Sequence, residues 1–341
     1  VATHSESITD TAAILSRLQE SRREAAAADE AGSARVATMN FVVFVDDPAH
    51  REWVLERACV VVEKHPARLI VLDSTDATSG VDVSTTARSR GGSIIINERV
   101  DVGVKQLDHA TIISLIQELT VPEIPIVLWW SGDRLLQSRT FSGLAQLAQT
   151  VLVDSSGKAS GEETIHELGE FLTRFANVRL QDLAFMRLAP WQDMIAQFFD
   201  DPALREDLFS ICGIEIESGS DAEALYLAGW LGSRLSWEPA GRDSFRDRYG
   251  TEISFSRVGK GDRRRVLSVV LRAGDSAYRA CISDDDEQVA CLYVEGAKAK
   301  PMWCMPLQNI ANTTLIERAI IENVRDDIFE TSLLTVRDLL R

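Results

Sequence analysis

Apolar and polar positions follow two different rhythms in the two halves of the chain. From residue 35 to 178, short runs of apolar residues alternate with stretches of helical period. The runs are Met39 to Val45 in RVATMNFVVFVDD, LIVLDS after HPAR, PIVLWW between Pro125 and Ser131-Gly132, and TVLVDSS. Helices are predicted between them: from about Ala49 to Lys64 behind Pro48, from Leu107 to Leu119, around Leu144 and Leu147, and from Gly161 to Ala176. Residues 80 to 102 are β-branched and broken at Gly91-Gly92, which reads as a hairpin. Residues 1–34 precede this block. Within them, 7–29 reads as an amphipathic helix with Ile8, Ala12, Leu15 and Leu18 on one side. Continuously apolar strands alternating with helices predict an α/β domain with a mostly parallel sheet, covered on both faces.

The densest apolar stretch, DLAFMRLAPWQDMIAQFFDD, lies near the middle, within residues 179–205. Pro190 fits the first turn of a helix, where its missing N–H costs nothing, so two short helices are predicted on either side of Leu188-Ala189. Trp191, Met194, Ile195, Phe198 and Phe199 share one face of the second helix, and that face must be buried. Its place in the chain predicts a helical hairpin joining the halves.

Residues 206–341 change pattern. LFSICGIEIES, EISFSRV, RVLSVVLR, AYRACI, VACLYV and PMWCM are strands with short polar connections, and a helix runs from Ala222 to Arg234. An antiparallel meander follows from the short turns. Helices from about Gln308 to Asn323 and Arg325 to Leu340 complete an α+β C-terminal domain.

The formal charge of −16 opposes nucleic acid and anionic membranes as partners. No apolar run approaches the roughly 20 residues that span a bilayer, and VATHSESITD lacks the features of a secretory signal. A cytoplasmic location is expected. The five cysteines form no C-x-x-C and suggest neither a disulfide scaffold nor a zinc site.

Four predicted strands end in acids: Asp46, Asp73, Asp133 and Asp154. At the carboxyl edge of a parallel sheet such carboxylates could hold Mg²⁺ for an enzyme acting on a phosphorylated small molecule, or could simply cap the following helices. No G-x-G-x-x-G follows the first strand and no G-x-x-x-x-G-K-[ST] occurs, so no cofactor-binding or metal-binding residues are assigned. His65 and His166 lack the motifs of catalysis, and no nucleophile stands out. Positive charge gathers at Arg257, Lys260, Arg263, Arg264 and Arg265, as a grip for an acidic partner or as a solvated turn. In Trp129-Trp130 adjacent residues of one strand face opposite ways, so that either both are buried or Trp130 is left as a candidate interface anchor beside Arg187 and Trp191. AYRACI and VACLYV flank SDDDEQ, and a register centred on Asp286 sets Cys281 opposite Cys291. These are a candidate redox pair, joined reversibly by oxidants, or two small residues on a sheet face.

Several motifs together resemble the glucose-6-phosphate dehydrogenase assembly protein family of cyanobacteria and actinobacteria. They are RVATMNFVVFV at 35–45, HPAR at 65–68, PEIPIVLWW at 122–130, VDS at 153–155 and DLAFMRLAPWQDMIAQFFD at 182–200. Phe185 stands where the family pattern carries Trp. The resemblance implies a non-catalytic protein that binds glucose-6-phosphate dehydrogenase and favours its active oligomer in the oxidative pentose phosphate pathway. It also implies, for cyanobacterial members, redox control through cysteines near the carboxyl terminus, and this chain has none after Cys304.

Overall fold

The computed structural model describes residues 37–75, 80–90, 93–259, 265–322 and 324–341, with short segments at 5–6, 14–16, 18–20 and 33–35; for 5–6, 33–35, 85–90 and 93–96 it describes the backbone alone. The chain forms two compact units. The first comprises Val1–Val153, Phe175–Gln181 and Asn312–Val324, and the second comprises Asp154–Arg174, Asp182–Ala311 and Arg325–Arg341.

In the first unit the apolar runs become strands Met39–Val45 (β1) and Ala67–Asp73 (β2), both buried along their whole length. The residues from 81 to 103 form the predicted hairpin of Val81–Arg90 (β3) and Ser93–Gly103 (β4). Ile126–Trp130 (β5), Thr150–Val153 (β6) and Arg179–Asp182 (β7) follow. The sheet order is Ser5–Glu6, β3, β4, β2, β1, β5, β6, β7, with Ser33–Arg35 alongside β4. The five strands from β4 through β6 are parallel. Helices Pro48–Lys64 (α1), His109–Leu119 (α2) and Arg139–Leu147 (α3) make the crossovers. Of the predicted 7–29 helix, 14–16 and 18–20 are helical with Ile14 and Leu18 buried; the rest lies outside the described residues.

Two buried polar side chains brace this sheet. Asn40 accepts from the Val121 N–H at 2.8 Å and donates to the Val121 carbonyl at 3.0 Å, so one amide fixes the loop leading to β5. Arg68 of the HPAR motif faces Glu98 across the parallel β2 and β4 register, Nε to Oε2 at 2.8 Å, and also donates to the Leu119 carbonyl.

The second unit is built on Ile211–Ser218 (β8), Glu238–Gly241 (β9), Ser244–Arg246 (β10), Glu252–Gly259 (β11), Val266–Ala273 (β12), Ser276–Ile282 (β13), Val289–Gly296 (β14) and Lys300–Pro306 (β15). Their order is β9, β10, β11, β8, β12, β13, β14, β15. β8 and β11 are parallel and the other pairs antiparallel. The register of β13 on β14 is the one centred on Asp286, with Tyr278 opposite Val294 and Ala280 opposite Leu292. At the next turn Gly296 takes φ +91°, and a Cβ there would lie 1.9 Å from the Asp275 carbonyl oxygen.

Gly161–Arg174 (α4), the two hairpin helices Leu183–Met186 (α5) and Ala189–Gln197 (α6), Asp221–Leu235 (α7) and Asp327–Leu339 (α9) belong to this unit. Asn312–Ile321 (α8) belongs instead to the first, where Lys64 of α1 reaches Glu317 at 2.5 Å. The units therefore cut the chain elsewhere than at residues 178 and 206. Helical period shows which face of α4 or α8 is apolar, but not which sheet covers it. The hairpin is core in the second unit: Phe185 meets Tyr226 and Phe329 at 5.6 and 5.1 Å, and Phe198 meets Tyr278 and Trp303 at 5.5 and 5.8 Å.

Arg68→Ala should destabilise the chain by roughly 3–5 kcal/mol, because it strands a buried carboxylate. Urea unfolding of the variant measures this; a loss within experimental error of zero would contradict the role assigned to the pair.

Candidate functional site

Asp182 ends β7 and caps α5. Its Oδ1 accepts from the backbone N–H groups of Ala184 and Ser155 at 2.9 and 3.1 Å, and its Oδ2 accepts from the Tyr226 hydroxyl at 2.7 Å. One turn on, Arg187 donates through Nη2 and Nη1 to the two oxygens of Asp154 at 2.6 and 3.1 Å, and through Nε to Glu223 at 3.1 Å. Nη2 also reaches the Ser156 hydroxyl at 2.7 Å, and the second Glu223 oxygen accepts from the Val266 N–H at 3.2 Å. Glu223, Asp182 and Tyr226 are all at most 2% exposed.

Burial raises the pKa of Asp154, but the guanidinium and the Ser156 hydrogen bonds outweigh it and hold this carboxyl below the usual range. Burial dominates at Glu223, pushing it up to about 7 against the opposing pull of Arg187. Asp182 is raised by burial and by the charge of Asp154, and Tyr226 by burial and by Asp182. For Arg187 burial favours the neutral form, but the two carboxylates more than compensate and hold the cation. The cluster ties four stretches of the second unit together: residues 154–156, residues 182–187, α7 and the start of β12.

In the first unit the chain runs from β1 out to β4 and returns through α2 to β5, which pairs with β1 on its other side. Strand order reverses there, and the carboxyl ends of β1 and β5 open into a crevice of about 450 Å³ lined by Phe44, Asp46, Asp47, Trp130, Asp133 and Arg134. In a sheet of this order the first strand-to-helix turn is where a dinucleotide pyrophosphate meets helix N–H groups across glycines. Here that turn is Val45-Asp46-Asp47-Pro48. Asp47 caps α1 by accepting from the Ala49 N–H at 2.9 Å and also holds the His50 ring at 2.5 Å, while Pro48 removes a donor from the first turn. A phosphate would meet carboxylates where it needs N–H groups. These residues do not fit a dinucleotide.

The strand-end acids do not converge. Asp73 accepts from Arg51 Nε at 2.5 Å and from the Thr75 hydroxyl at 2.6 Å, and Asp154 belongs to the Arg187 cluster. Asp46 and Asp133 stay near each other, with the Asp133 N–H 3.3 Å from an Asp46 oxygen. Among the described residues no three His, Cys, Asp or Glu side chains gather in a way that could hold a metal ion.

Of the candidate partner contacts, Trp130 and Trp191 are interior and Arg187 is half-buried and paired. Trp130 is 1% exposed, stacks on Phe44 with centroids 3.9 Å apart and donates its Nε1 hydrogen to the Arg134 carbonyl at 2.9 Å. The reason lies in the next helix: α3 brings Phe141 edge-on to it at 5.1 Å. Trp191 is 5% exposed, and Arg187 is consumed by its carboxylates. Of the cationic group, Arg257 is bound by Glu162 and Asp221 and Arg265 by Glu287, whereas Lys260, Arg263 and Arg264 lie outside the described residues. The cysteine pair is also corrected. Cys281 does stand opposite Cys291, but the disulfide joins Cys291 to Cys304, the residue opposite it on the other flanking strand, and Cys281 is a free thiol.

The fold, an α/β unit and an α+β unit, is shared with solved dehydrogenases. A 3-ketoreductase from Actinomadura kijaniata, solved with NADP and TDP-benzene in an open conformation, superposes with a TM-score of 0.53 at 11% identity over 89% of this chain and 96% of that one. A levoglucosan dehydrogenase solved with NADH and L-sorbose gives 0.51 at 10% identity over 89% and 96%. At such identity the likeness is one of fold. Residues 58–170 match the family described as glucose-6-phosphate dehydrogenase subunit N-terminal domain, and 178–333 match the corresponding C-terminal domain. The chain belongs to this OpcA glucose-6-phosphate dehydrogenase assembly family. It is similar to OpcA proteins named for the OxPP cycle: 25% identical to that of Synechococcus elongatus over 83% of this chain and 69% of that protein, and 31% identical to that of Nostoc punctiforme over 52% and 39%. The chain thus spans about two thirds of the first relative's length and two fifths of the second's.

Glu223 sets a pH test. Its folded pKa, raised from 4.5 to about 7, means that the folded protein holds an extra proton between these values. Its contribution is therefore fully present below 4.5 and lost as pH rises through 7, by roughly 3 kcal/mol at most. Melting temperatures from pH 5.5 to 8.5 should fall more steeply for the parent than for Glu223→Gln; parallel curves would contradict the assignment.

Proposed function

We propose that the chain is a non-catalytic, cytoplasmic partner of glucose-6-phosphate dehydrogenase that binds the enzyme and favours its active oligomer in the oxidative pentose phosphate pathway. One observation carries this reading: in a dehydrogenase-like scaffold, the turn that would receive a pyrophosphate is capped by the chain's own Asp47 and lacks the Pro48 donor. The fold persists, but its nucleotide cradle is closed. Membership of a family described as a subunit of this dehydrogenase supports that partner. A protein without chemistry of its own can still raise another's activity, by binding the active conformation or oligomer more tightly than the inactive one. Among the described residues no helix is long and apolar enough to cross a membrane.

The reading is tested by mixing the purified chain with glucose-6-phosphate dehydrogenase from the same organism. Co-elution at micromolar concentration is expected, with a lowered KM for the sugar phosphate or a raised kcat. Separate elution with unchanged kinetics would end the proposal.

A further inference from the structure

In the second unit, two aromatic rings are left in solvent and both flank the same arginine. Phe209 is 56% and Tyr249 71% exposed, and they are the only aromatic side chains among the described exposed large hydrophobics. The Arg248 guanidinium carbon lies 5.5 Å from the centre of the Phe209 ring and 4.8 Å from that of Tyr249. Neither ring is used in the core, unlike Phe185, Phe198 and Phe199 of the hairpin. Several other arginines of this unit are taken by carboxylates, Arg242 and Arg257 by Glu162 and Arg272 by Glu215. Among the described residues no carboxylate lies within ion-pair distance of Arg248, although the chain carries a formal charge of −16.

Both supports of this cluster are rigid. Tyr249 stands on the turn between β10 and β11, where one Asp247 oxygen accepts from the N–H groups of Tyr249 and Thr251, both at 2.8 Å, and Gly250 takes φ +88°. Phe209 ends a helical turn, Arg205–Phe209, whose Asp207 is tied to the sheet by the Tyr278 hydroxyl and by Lys298, both at 2.6 Å. Association would therefore order little that is not already ordered, which removes one of the main costs of binding. Aromatic residues and arginine are also the types that dominate binding energy at protein interfaces.

We infer that Phe209, Arg248 and Tyr249 form the docking point for an acidic segment of the bound dehydrogenase. A partner carboxylate takes the outer edge of the guanidinium in a two-pronged hydrogen bond, and the apolar part of that segment lies on the two rings. The stacked, planar guanidinium is essential to this geometry, so a lysine is no equivalent. The inference rests on the proposed partnership and names the surface that carries it.

Titration of the full chain against glucose-6-phosphate dehydrogenase from the same organism, read by calorimetry, tests it. Relative to the parent, Arg248→Glu should weaken binding by roughly tenfold or more, and Phe209→Ala and Tyr249→Ala each by several-fold. Arg248→Lys should fall between parent and Arg248→Glu. All three sites are at the surface, so melting temperatures should stay close to the parent's. If the parent binds and every variant lies within about twofold of it, the docking point is wrong and the partnership stands. If the parent itself does not bind, the partnership fails and this inference falls with it. A single-stranded oligonucleotide bound by the parent and lost in Arg248→Glu, with dehydrogenase binding unchanged, would assign the cluster to nucleic acid and overturn it.

Discussion

A guanidinium withdrawn from water needs acceptors, and the pairing of the half-buried Arg187 organises the second unit. Two carboxylates and a hydroxyl meet it, drawn from the segment before α4 and from α7, while Arg187 itself comes from the hairpin. Asp182, five residues earlier, repeats the device in neutral form by gathering two backbone N–H groups and a tyrosine hydroxyl. Desolvating such a cluster is costly, and its net stabilisation is small compared with the penalty for leaving one member unpaired. Its value lies in allowing one arrangement of these segments. The same arrangement sets Phe185 between Tyr226 and Phe329 and so fixes how α7 and α9 meet the hairpin.

The first unit makes a comparable substitution at the other end of its chemistry. Strand order and the crevice outside β1 and β5 are those of a dinucleotide-binding sheet, but folds are shared among unrelated functions and the site decides. Asp47 supplies negative charge at the positive end of α1, where a phosphate would otherwise do so. Phe44 and Trp130, stacked beneath, fill the floor, and Gly132 is held so close to Asp46 and Phe44 that a Cβ would sit 2.9 Å from each. The crevice stays open, but the turn at its edge is capped by the chain's own carboxylate.

Much of this was legible in residue patterns because the signals are local. The parallel strands are uninterrupted apolar runs, Pro190 marks its helix, and the polar turn SDDDEQ centres the β13 and β14 register. Other features depend on neighbours far along the chain. β9 and β10, with sequences EPAG and SFR, are too short and polar to show a period of two. The partner of Cys291 depends on the register of β15, which slips at a bulge between Leu292 and Val294. Nothing in the residues around Arg187 separates a paired arginine from a solvated one, since its acids lie 33 and 36 positions away. Trp130 follows the same logic, because the ring that covers it, Phe141, arrives on the next helix. For Phe209 and Tyr249 the informative fact is exposure, which no periodicity reports.

The central claim, that the first strand-to-helix turn of this sheet is capped by its own Asp47 and does not receive a nucleotide, is most directly tested by titrating NADPH into the purified chain and following nicotinamide fluorescence. The account predicts no saturable change up to millimolar nucleotide. Saturable binding with a micromolar Kd, lost when competing NADP is added, would show that the Asp46-Asp47-Pro48 turn accepts a pyrophosphate after all and would contradict it.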